Sequence, residues 1–112
     1  VSKYKYYFRP GYQSKELLIE VFDGAENETF ISDFLNVIIE LQPKMTDIHD
    51  LWMNDEILIT IDSEIGEFTI SKDIWGFAFI MTSSGERIKK IDFILNNSEM
   101  FEKVEVDYEL YK

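Results

Sequence analysis

Hydrophobic positions along the chain change period several times, and each change marks a boundary between elements. Tyr4, Tyr6 and Phe8 alternate with Lys5 and Tyr7, the two-residue period of a strand, and Arg9-Pro10-Gly11 supplies the turn that ends it. Lys15 to Phe22 puts Leu17, Ile19 and Val21 on one side and Leu18, Glu20 and Phe22 on the other, closing at Asp23-Gly24. A hairpin between these two segments is the expected pairing.

The period then becomes helical: Phe30, Phe34, Val37, Ile38 and Leu41 fall on one stripe, with Ser32, Asp33, Asn36 and Glu40 on other sides. Asn27 or Thr29 suits the N-cap, Glu28 and Asp33 favour the positive end of the helix dipole, and Pro43 cannot continue the ladder. This helix is expected to stop near Leu41. Lys44 to Asp55 mixes Met45, Ile48, Leu51, Trp52 and Met53 with acids and His49, fits neither period, and is left unassigned.

Ile57, Ile59 and Ile61 alternate with polar residues, Gly66 marks a turn, and Phe68 and Ile70 alternate again, so a second hairpin is expected. Trp75 to Thr82 is nearly all apolar, the pattern of a central strand, with Trp75 in the core. Ser83 and Glu86 have capping-box spacing, and Ile88, Ile91, Ile94 and Leu95 follow on a helix running to Asn96 or Asn97. Val104, Val106, Tyr108 and Leu110 alternate with charged residues, giving a closing strand with one buried face. The order β-β-α-β-β-β-α-β describes an α+β fold: a mostly antiparallel six-stranded sheet with two amphipathic helices on one face. A parallel crossover through the second helix is an alternative route to the closing strand, and strand order stays open.

A length of 112 residues without repeats or a Pro- or Ser-rich linker indicates one compact domain over residues 1–112. No cysteine is present, which excludes disulfides, thiolate metal sites and Cys nucleophiles. The longest stretch without a charge, Ile74 to Gly85, is far shorter than a membrane helix, and the first residues lack the apolar run of a signal peptide. The expected location is the cytoplasm.

Charge changes the picture most. The chain carries 11 Lys or Arg against 22 Asp or Glu, a formal net charge of -11. Lys3, Lys5, Arg9 and Lys15 all precede the first acid, so from Glu16 onward 7 bases face 22 acids. That balance opposes binding to nucleic acid, which depends on releasing counterions to Lys and Arg. The basic first strand is expected beside the acidic last one, with Lys3 or Lys5 across from Glu105, Asp107 or Glu109.

Motifs for catalysis are missing. His49 is the only histidine, and no Gly-x-Ser-x-Gly or Gly-x-Gly-x-x-Gly spacing occurs. Asp47, His49, Asp50, Asp55 and Glu56 form the one cluster of imidazole and carboxylates, a donor set suited to Mn²⁺, Mg²⁺ or Ca²⁺. It supports a rival reading, a small ligand- or metal-binding module built on the loop 44–56. The leading expectation is a non-catalytic acidic domain that binds and neutralises a basic protein, such as a bacterial toxin or nuclease. Its expected contact residues are Asp47, Asp50, Trp52, Asp55, Glu105, Asp107, Tyr108 and Glu109. No catalytic residue, cofactor, nucleic acid or membrane partner is expected. A third reading, self-pairing through the edge Tyr4 to Phe8, leaves the oligomeric state open.

Overall fold

The computed structural model describes residues 2–11, 16–51, 53, 55–107 and 109. Seven strands occur among them: β1 Tyr4–Pro10, β2 Leu17–Asp23, β3 Lys44–Leu51, β4 Glu56–Asp62, β5 Phe68–Asp73, β6 Ala78–Met81 and β7 Phe101–Lys103. Two helices, α1 Phe30–Val37 and α2 Gly85–Asn96, interrupt the series, and a 3₁₀ turn Ile39–Leu41 follows α1. One sheet takes all seven strands in the order β3-β4-β5-β6-β2-β1-β7. Every neighbouring pair is antiparallel except β1 and β7. The architecture is α+β, with one strand more than the hydrophobic pattern indicates.

Alternation puts one side chain in two on the core face. Ile59, Ile70, Ile80 and Ile19 stand in register across β4, β5, β6 and β2, and all four are buried. Burial of each such side chain is worth about 2 kcal/mol. Both helices cover this face. Phe34 of α1 meets Phe68 and Phe101 edge-on with centroids 6.3 and 6.2 Å away, and Phe30 meets Tyr4 at 5.3 Å. The same stripe carries on through Ile38 and Leu41, also buried, until Gln42 turns left-handed (φ 52) and Pro43 ends the element. On α2, Ile88, Ile91 and Leu95 face the sheet. The opposite face of the sheet has its own contacts: Tyr7 stacks on Phe22 at 4.2 Å, and Arg9 bonds Glu20 at 2.7 Å with side chains only 12% and 14% exposed.

Each helix is tied to β1 by a tyrosine. The Tyr4 hydroxyl donates to Asp33 Oδ2 of α1 (2.6 Å), and the Lys3 ammonium meets the same oxygen at 2.8 Å. Two residues on, the Tyr6 hydroxyl donates to Asp92 Oδ1 of α2 (2.9 Å), whose other oxygen receives Lys103 of β7 at 3.1 Å. Both carboxylates thus have a hydroxyl and an ammonium. Burial, then the hydrogen bond to Asp92, pushes the Tyr6 phenol far above its usual value. The Lys3 ammonium, then the Tyr4 hydroxyl, holds the Asp33 carboxyl below the usual carboxylate value of 3.8.

Four expectations change. Lys44 to Leu51 is a strand: its first seven residues are exposed at the sheet edge, so no buried side imposes a period on the sequence. Trp75 is not in the core but 66% exposed, because the apolar run 74–82 divides into a turn at 74–77 and the short strand β6. That strand is central, fourth of seven. The second helix starts one residue later than its capping-box spacing implies: Ser84, not Ser83, accepts the Arg87 N–H at 3.3 Å. The last strand among the described residues is Phe101–Lys103, where Phe101 stacks on Tyr4 (4.9 Å); residues 104–107 lie outside it, and Tyr108 and Leu110 lie outside the described residues. The β1–β7 ladder places Lys5 opposite Glu102, but β7 carries one acid and one base, so the expected pairing of the basic first strand with Glu105, Asp107 or Glu109 on an acidic last strand does not form.

Replacing Tyr6 with Phe removes a hydroxyl from a buried carboxylate and is expected to cost about 1–2 kcal/mol in urea unfolding. Asp92→Ala should cost more, since it strands both the Tyr6 hydroxyl and Lys103. Asp33 titrates lower in the folded chain than in the unfolded one, so its contribution is complete above the unfolded pKa and is lost as pH falls through the folded one. Acid titration of stability should therefore be shallower in Asp33→Asn than in the parent.

Candidate functional site

Sheet order brings three connections to one end of the molecule. Leu51, Glu56 and Asp73 stand in line across β3, β4 and β5, and Lys72, Ala78 and Val21 stand in line across β5, β6 and β2. The β3–β4 turn, the β5–β6 turn and the segment between β2 and α1 therefore converge. Their close approach needs Gly76, whose φ of 87 is left-handed and where a methyl group would lie 3.2 Å from Glu26 Oε2.

Between these connections lies a cleft of about 500 Å³. Among the described residues five carboxylates line it, those of Glu26, Asp50, Asp55, Glu56 and Asp73, with Lys72 the one cation, a local balance of five negative charges to one positive. Ile57 and Ile74 supply apolar lining. Lys72 is turned toward α1, its ammonium 6.0 Å from the centre of the Phe30 ring. Asp73 is held by the turn it begins: its Oδ1 accepts the Trp75 and Phe77 N–H groups at 2.9 and 3.1 Å. Glu56 accepts the Ser71 hydroxyl. Among the described residues, Glu26, Asp50 and Asp55 have no side-chain hydrogen bond or ion pair, which leaves three solvated carboxylates for an incoming cation.

Large apolar side chains stand in water beside this charge. Trp75 adjoins the lining residue Ile74 in the β5–β6 turn, and Met53, 80% exposed, lies between β3 and β4, two residues before Asp55. Aromatic and aliphatic anchors set among charges are the composition from which protein interfaces draw most of their affinity.

Compared with protein-family models, curated proteins and solved structures, the chain matches none.

The residues expected to contact a partner divide between two places. Asp50 and Asp55 line the cleft. Asp47 lies on β3 outside it, its carboxylate 2.7 Å from His49 Nε2, both side chains exposed. Glu105, Asp107 and Glu109 are exposed but follow β7, at the opposite edge of the sheet from β3, so they do not share a surface with the cleft. Trp52 and Tyr108 lie outside the described residues. Within the segment 44–56 expected as a loop, Lys44–Leu51 is the strand β3. Among the described residues, no group of three or more His, Asp or Glu is placed to hold a metal ion.

Sequence reasoning missed Asp73, Lys72 and Ile74 and misplaced Trp75. A signal was present: Asp73 and Gly76 are three apart, the spacing of a turn that begins with Asp. Exposure of Trp75 has a direct consequence for stability. Trp75→Ala should change unfolding free energy by no more than about 0.5 kcal/mol, whereas Ile70→Ala, in the middle of the core row, should cost about 2–5 kcal/mol by the same denaturation measurement.

Proposed function

We propose that this chain is a non-catalytic, acidic protein-binding domain that recognises a basic partner and neutralises it, a toxin or nuclease being the kind of target that fits. The observation that carries this reading is the cleft itself: among the described residues five carboxylates against one lysine, with Ile57 and the exposed Ile74 in its lining. The net charge of -11 adds long-range attraction, which raises the encounter rate with a cationic protein, while unpaired Asp50 and Asp55 supply short-range contacts. A surface that presents carboxylates where phosphates would otherwise sit competes directly for a nucleic-acid-binding groove. The same charge opposes nucleic acid as the ligand.

The test is retention of proteins from lysate of the source organism on the immobilised chain, followed by reconstitution of whatever is retained. A basic protein should bind at about 0.1 M salt and be released near 1 M, where screening shortens the Debye length from about 10 to 3 Å. Its activity should fall on one-to-one mixing, and Asp50→Lys with Asp55→Lys should weaken binding by at least about tenfold. Retention indifferent to salt and to charge reversal, or no inhibition on mixing, overturns the reading.

A further inference from the structure

We propose that the basic partner docks as an extended segment along the open edge of β3, adding an eighth strand to the sheet, with cationic side chains reaching Asp50 and Asp55 at the end of that edge. This inference rests on the neutraliser reading and gives it a binding mode. A sheet of this order has two edges, and they differ. β7 offers only three residues. β3 offers eight, pairs on one side only, and contains no proline. Native edges of that length are normally blunted, because their unpaired amides and carbonyls form a template for another strand. Here the register is irregular between Met45 and Asp47, and past that point the Ile48 N–H is bonded by its neighbour's carboxylate, Asp47 Oδ1 at 2.9 Å, a contact that an arriving carbonyl can replace, so the regular open edge is Ile48 to Leu51.

Side chains along the edge indicate what arrives. Ile48 and Asp50 project to one side of β3 and Asp47 and His49 to the other, by the alternation of a strand. Ile48 is 55% exposed although its side of the sheet is the core side, since neither helix extends over β3. Asp50 continues that side into the cleft. A strand laid about 4.8 Å away brings alternate side chains directly over this apolar-acidic row. Between residues 44 and 62 the chain has one Lys and five acids, so a second copy would bring a segment of net charge -4 against its like. A segment with basic residues at alternate positions can set its cations on the Ile48–Asp50 side, where Asp50 and, past the end of the edge, Asp55 are the complementary charges.

The probes are two synthetic eight-residue peptides, alternating Lys-Val and alternating Glu-Val, added to the full chain while amide hydrogen exchange is followed residue by residue. Lys-Val should slow exchange within Lys44–Leu51 by about tenfold or more at saturation and leave Phe101–Lys103 unchanged, with the effect lost near 1 M salt. Glu-Val should have no effect. Ile48→Pro should abolish the protection, and Asp50→Lys with Asp55→Lys, which keeps the backbone edge intact, should exchange the preference of the two peptides. Absence of protection in β3, or equal protection by both peptides, overturns the proposal. Protection of β3 that grows with the concentration of the chain alone also overturns it, in favour of a second copy. If a basic protein retained from lysate binds Ile48→Pro as tightly as the parent, the edge mode fails while the neutraliser reading stands; if none binds the parent, both fail.

Discussion

Two tyrosine hydroxyls on one strand hold this fold in its arrangement. Successive core-facing residues of β1, Tyr4 and Tyr6, reach in turn to Asp33 on α1 and Asp92 on α2. A carboxylate beneath a helix is expensive to desolvate unless its lone pairs are met, and here each receives a neutral donor and a cation. Apolar burial supplies most of the driving force, but it is non-directional. The hydroxyl-carboxylate bonds add direction, fixing where each helix sits along the sheet.

From that placement follows the exposure of the other end of the sheet. The helices lie over β1, β2 and the strands beside them, and β3 extends past their cover. Residues there have no buried side to satisfy, so acids and isolated apolar side chains coexist on one strand. The carboxylates gather at the ends of hairpins, where turns favour Asp for its ability to accept backbone N–H groups. Asp73 does this for its own turn, while Asp55, with φ of 54, takes the left-handed conformation that Asp tolerates. Local turn chemistry therefore accounts for some of the acids, and sheet order accounts for their convergence.

How much of this was legible in the sequence depended on burial. The Ile57 to Ile61 and Tyr4 to Phe8 alternations and the Phe30 to Leu41 stripe read correctly because each has one face in the core. β3 did not, for the opposite reason. The closing strand was displaced because its three residues hold only one buried side chain, Phe101, too few to show a period, whereas the stronger alternation in the sequence starts at Val104. Trp75 looked buried because an apolar turn runs without a break into an apolar strand. Asp50 and Asp55 were legible as candidates, but their meeting with Asp73 and Glu26 is a property of register across three strands that spacing along the chain does not encode.

The parallel pair β1–β7 also shapes the order in which the molecule can assemble. Lys5 and Tyr6 find their hairpin partners, Asp23 and Val21, within some twenty residues, but the Tyr4 ring lies on Phe101, at the far side of almost the whole described sequence. Contacts of such separation are made late, after loop closure has been paid for by nearer ones. During synthesis the β1–β2 hairpin therefore emerges with Tyr4 and Tyr6 prepared but without β7 and the Lys103 contact to Asp92. The nascent chain keeps one side of its first strand open until residues beyond α2 leave the ribosome.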